Sequence, residues 1–95
     1  MIRVVRTENG LSFPEFEEGS GLDELAHSIA SALGTSARKP TGSAVEMLVG
    51  FEGYPDEFAL WWDGVTCELG CSSPTQVSME AIGQRLLASG RFLQP

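Results

Sequence analysis

The stretch VEMLVGFEGYPDEFALWWDGVTCELG, residues 45–70, decides the fold. Val45, Met47, Val49 and Phe51 alternate with Glu46, Leu48, Gly50 and Glu52, the period of a half-buried strand. Gly53-Tyr54-Pro55-Asp56 reads as a turn. Phe58, Leu60 and Trp62 then alternate with Glu57, Ala59, Trp61 and Asp63. Asp63-Gly64 is the dipeptide of a two-residue hairpin. Beyond it, Val65, Cys67 and Leu69 alternate with Thr66, Glu68 and Gly70.

The two turns can be checked against each other. A two-residue loop at Asp63-Gly64 pairs Trp62 with Val65, Leu60 with Cys67 and Phe58 with Leu69. A four-residue turn at 53–56 pairs Phe51 with Phe58, Val49 with Leu60 and Met47 with Trp62. Cross-strand partners share a face, and every residue in both sets is apolar. Two independent turns thus agree on one buried face, which predicts a three-stranded antiparallel meander over 44–52, 57–63 and 65–70.

Working outward, residues 22–33 carry Leu22, Leu25, Ala26, Ile29, Ala30 and Leu33 on one helical stripe. Ser20 and Asp23 have the spacing of a capping box, and Gly34 follows as a C-terminal cap. A second helix is expected over 74–89, with Ser73 as cap, Pro74 in the first turn and Met79, Ile82, Gly83 and Leu86 on the buried side. On that stripe, Gly83 suggests a close approach to the sheet. Phe92 and Leu93 are expected to dock as a tail. Residues 2–5, Asn9-Gly10 and Leu11–Phe16 predict a short N-terminal strand or hairpin. Residues 35–43 read as a mobile loop. The expected architecture is a single α+β domain, a two-layer sandwich with both helices on one face of the sheet.

Helix, three strands, helix is also the order of double-stranded-RNA-binding domains. That family opens its second helix with a lysine cluster, whereas Ser72-Ser73-Pro74-Thr75-Gln76 contains no base. The likeness stops at topology.

Charge excludes more than it asserts. In 95 residues, thirteen acids face six bases, for a formal net charge of -7. The bases, Arg3, Arg6, Arg38, Lys39, Arg85 and Arg91, form no stripe able to neutralise a phosphate backbone. Neither nucleic acid nor an anionic membrane is an expected partner. No apolar run approaches the ~20 residues of a membrane span, and the first residues lack the apolar segment of a secretory signal. A cytoplasmic protein is expected, and the preference for Arg over Lys agrees with a GC-rich, bacterial source.

The candidate surface is the outer face of the meander. The register above places Leu48, Trp61 and Thr66 in one row and Gly50, Ala59 and Glu68 in the next. Glu52 pairs with Glu57, and Glu46 lies opposite Asp63. Facing acids are unfavourable unless a cation lies between them. A tryptophan ringed by carboxylates suits a basic protein partner. The competing expectation is that Phe13 or Phe16 folds over Trp61, or that this face forms a homodimer. The expected partner-binding set is Trp61, Leu48, Thr66, Glu46, Glu52, Glu57 and Glu68.

Cysteine chemistry offers an alternative. Cys67 and Cys71 share inward parity, but four extended residues span ~13 Å, too far for a disulfide. Cys71 is the candidate reactive thiol because it precedes the second helix, whose N-terminus could lower its pKa. One histidine, His27, falls off the apolar stripe, so no metal, cofactor or catalytic set is expected. The sequence therefore points to a non-enzymatic acidic binding module, comparable in size and charge to small inhibitors, immunity proteins or adaptors. The alternatives are a thiol-dependent enzyme or redox protein using Cys71, and a homodimer with its function elsewhere.

Overall fold

A computed structural model describes residues 1–73 and 76–94. The chain runs β1 (Ile2–Arg3), β2 (Val5–Arg6), β3 (Gly10–Ser12), a 3-10 turn (Pro14–Phe16), α1 (Leu22–Leu33), β4 (Thr41–Ser43), β5 (Glu46–Gly50), β6 (Phe58–Trp62), β7 (Cys67–Cys71), α2 (Met79–Ala88) and β8 (Phe92–Leu93). The result is the expected α+β sandwich, with a larger sheet. Six strands lie in the order β2-β3-β7-β6-β5-β4, all antiparallel, and β1 pairs separately with β8 in parallel.

The meander forms with β5 and β6 in the expected register, Met47 opposite Trp62 and Val49 opposite Leu60. The β6–β7 pair is shifted by two residues: Trp62 faces Cys67, Leu60 faces Leu69 and Phe58 faces Cys71. The cause is Asp63. Its carboxylate accepts hydrogen bonds from the Val65 and Thr66 backbone N–H groups at 3.0 and 2.8 Å and from the Thr66 hydroxyl at 3.2 Å. This Asx-type turn closes a four-residue loop, with the Asp63 N–H donating to the Thr66 carbonyl. The tight hairpin read from Asp63-Gly64 needs positive φ at both residues, and Asp63 does not have it. A shift of two keeps every side chain on its face.

Two further corrections concern helix starts. Gly21, in the left-handed conformation, occupies the N-cap of α1, with no side-chain cap from Ser20. Ser78, not Ser73, caps α2, its side chain accepting from the Ala81 N–H at 3.2 Å, so the helix begins at Met79. Pro74, expected in its first turn, lies outside the described residues. Apolar Val77 just before the cap is buried in the core with Ile82, the spacing of a hydrophobic staple. At its C-terminus α1 ends on left-handed Gly34 as expected, and Arg85 from α2 donates to the Leu33 carbonyl at 2.8 Å. That guanidinium meets the negative end of the helix dipole.

The loop expected over 35–43 contributes an edge strand, β4, whose residues Thr41-Gly42-Ser43 are all exposed. Without an apolar period they carry no sequence signal for a strand. The N-terminal hairpin forms with Arg6 opposite Leu11, and β3 joins β7 with Leu11 opposite Leu69.

One core joins these parts. Val49, Phe51, Phe58, Leu60, Cys67 and Leu69 from the sheet meet Leu25, Ile29, Leu33, Ile82 and Leu86 from the helices. Phe13 and Phe92 close its far end edge to face, with ring centroids 6.0 Å apart. Both helices therefore cover the same sheet face, leaving the other without a second layer.

Candidate functional site

The uncovered face is built by strand alternation. Each core residue on β5, β6, β7 and β3 is followed by one that points away. The register aligns Leu48, Trp61, Glu68 and Ser12 in one row and Gly50, Ala59, Gly70 and Gly10 in the next. Of the expected set, Leu48 and Trp61 are neighbours. Glu68, not Thr66, stands opposite Trp61, because the shift moves Thr66 into the turn. Trp61 is 47% exposed and Leu48 44%. With Glu46, Asp56, Glu57 and Glu68 they border an open depression of about 560 Å³ floored by Ala59 and Gly70.

The expected cover over Trp61 went to its neighbour. Phe13 is fully buried and Phe16 packs against the core. The segment after them crosses the inner side of β6, where the Trp62 indole N–H donates to the Glu17 carbonyl at 2.8 Å. Gly19 sits against that indole with φ +87°, and a Cβ there would come within 2.6 Å of the ring. Only glycine meets both constraints. Trp62 is thus the covered tryptophan and Trp61 the open one.

Among the described residues, neither expected pair of facing acids holds a cation between its members: Glu52 lies beyond the end of β5, and the base that reaches it bridges to Asp56 instead of Glu57. Arg38, from the loop after α1, donates to Asp56 Oδ1 at 2.6 Å and to the Tyr54 carbonyl at 3.0 Å, with Nε 3.6 Å from Glu52 Oε1. A Cβ on Gly50 would lie 3.3 Å from the Arg38 side chain, so the guanidinium stem rests on the glycine floor. Sequence reasoning missed Arg38, since nothing local links residue 38 to 50 or 56. Glu52 is already partnered. Among the described residues, Glu46, Glu57 and Glu68 make no ion pair. Asp63 serves its turn, and the Thr66 and then Val65 backbone N–H groups hold its carboxyl below the usual range.

The two thiols separate by environment. Burial, followed by the charges of Glu17 and Glu68, pushes Cys67 up to about 12. Cys71 is partly buried and its thiol donates to the Ser73 carbonyl at 3.2 Å. Because α2 starts at Met79, Cys71 is not at its N-terminus, and the helix-dipole argument for a reactive thiol falls away. His27 is exposed. Among the described residues no group of three or more His, Cys, Asp or Glu side chains is placed to hold a metal ion, and no helix is long and apolar enough to cross a membrane.

No protein-family model, curated protein or solved structure matches the chain.

Proposed function

We propose that this chain is a non-enzymatic protein-binding module that uses the outer sheet face around Trp61 to hold a basic partner, in the manner of a small inhibitor, immunity protein or adaptor. The observation carrying this reading is the exposure of Trp61 and Leu48 beside Glu46, Glu57 and Glu68, on the face that neither helix covers. An aromatic anchor within a polar rim is the usual anatomy of a binding hot spot. Three carboxylates that make no ion pair among the described residues complement a basic surface and would speed its approach. Leu48, Trp61, Glu46, Glu57 and Glu68 form the proposed contact. Glu52 is engaged by Arg38, and Thr66 is held in the turn by Asp63.

The test is affinity capture with wild type and a Trp61→Ala/Glu68→Lys double variant, followed by direct binding of each captured protein in purified form. A basic protein bound by wild type and lost by the double variant supports the reading. Equal recovery by both sinks the proposed surface. Light scattering at high concentration separates the competing homodimer, which would double the 10.2 kDa mass and return to a monomer in the same variant.

A further inference from the structure

The row Gly50–Ala59–Gly70–Gly10 forms a floor of minimal side chains across four strands, ~14 Å from first to last at the usual strand spacing. Its glycines have different causes. At Gly10 a Cβ would collide with the Leu69 carbonyl oxygen, so close strand pairing accounts for it. At Gly50 the space is filled by Arg38. At Gly70 an added Cβ would meet only the Asn9 carbonyl oxygen, at 3.4 Å. The Gly50 end is thus an occupied guanidinium seat, with glycine beneath, the Asp56 carboxylate at 2.6 Å and the Tyr54 carbonyl at 3.0 Å. The Gly70 end repeats the elements of that seat without an occupant: glycine and Ala59 beneath, Glu57 and Glu68 at the border, and Trp61 beside them.

Resting on the docking surface proposed above, we infer that the partner's anchoring group is an arginine side chain, seated over Ala59 and Gly70 between Glu57 and Glu68, as Arg38 is seated over Gly50. A planar guanidinium can lie flat on a floor without side chains while its edge donates to two carboxylates. Its face can also engage an indole, which favours arginine over the strongly hydrated, compact ammonium of lysine.

The experiment is a titration of the isotope-labelled protein with hexa-arginine and, separately, hexa-lysine, at low salt, read by NMR. Hexa-arginine should shift the Ala59 and Gly70 amides and the Trp61 indole, and bind about two- to fivefold more tightly than hexa-lysine, the equivalent of ~0.5–1 kcal/mol for a cation on an exposed ring. Glu57→Gln/Glu68→Gln should abolish these shifts while preserving the rest of the spectrum. Arg38→Ala should add a shift at Gly50, as the vacated seat fills. Equal affinity for both peptides at this face overturns the arginine assignment and leaves the docking surface standing. Shifts confined to the acidic stretch from Glu15 to Glu24, or none with either peptide, overturn both. An unchanged Gly50 in Arg38→Ala removes the likeness between the two seats and overturns the assignment.

Discussion

The indole N–H of Trp62 donates to the backbone carbonyl of Glu17 at 2.8 Å, tying the middle of the sheet to a segment 45 residues earlier. Trp61 makes no such tie among the described residues and remains open. The two tryptophans should therefore differ in stability effect. Trp62→Phe loses the hydrogen bond and leaves a carbonyl unpaired, at a cost of ~1–3 kcal/mol. Trp61→Ala removes a side chain at an exposed position and should cost less than ~1 kcal/mol. Urea unfolding followed by far-UV circular dichroism compares them, and an equal loss would contradict the assignment of roles.

The start of α2 can be tested through its cap. Ser78→Ala should cost ~1 kcal/mol, because Ser78 satisfies the Ala81 N–H. The Ser73 contacts to the Cys71 thiol and the Gln76 N–H use its backbone carbonyl. Ser73→Ala should therefore stay within ~0.5 kcal/mol of wild type. The opposite order would restore the longer helix read from the sequence.

Gly83 lies on the buried side of α2, where the sequence suggests a close approach to the sheet. The approach is not close: a Cβ there would meet the Leu11 methyl groups at 3.6 and 3.8 Å, ordinary contact. Its φ is not positive, so alanine fits the backbone. Gly83→Ala should stabilise the protein by ~0.5–1 kcal/mol, through helix propensity and lost unfolded-state freedom. A rise of several degrees in melting temperature is the expected reading.

Cys67 makes stability depend on alkaline pH. Its thiol ionises near 9.0 in an ordinary environment and is pushed up to about 12 here. Below pH 9 both folded and unfolded states hold the proton, so the contribution is fully present. Between pH 9 and 12 the unfolded state releases it first and binds fewer protons, so stability falls as pH rises. Comparing wild type with Cys67→Ala cancels the other groups that titrate there, and the variant should lose stability less steeply over that window. At neutral pH, an alkylating reagent should modify Cys71 in the native state and reach Cys67 only on unfolding.

How much was legible in the sequence follows from the range of each signal. Strand parity is local: Leu48 and Trp61 point away from Val49 and Leu60 in any register shifted by an even number of residues. The apolar stripe of α1 is equally local, and so is its glycine stop. The outward parity of Leu48, Trp61 and Glu68 was legible for the same reason, whereas Thr66 lies in the turn and Glu52 beyond the end of β5. The row partners of Trp61 depended on the loop at 63–66, where the Asp63 side chain outweighed the turn preference of Asp63-Gly64. Arg38 was invisible because a guanidinium reaches its acids through space, and β4 because an exposed edge strand needs no apolar period.

By itself the sequence determined that the three meander strands and the two helices form and which side chains each turns toward the core, since both follow from periods of 2 and 3.6 residues within a single segment. Only the tertiary structure decided that β3 extends the meander, that β8 pairs with β1, and that the segment after Phe16 covers Trp62 and leaves Trp61 bare. Those outcomes depend on where distant segments find room and hydrogen-bond partners, as Glu17 finds the Trp62 indole and Arg38 finds Asp56.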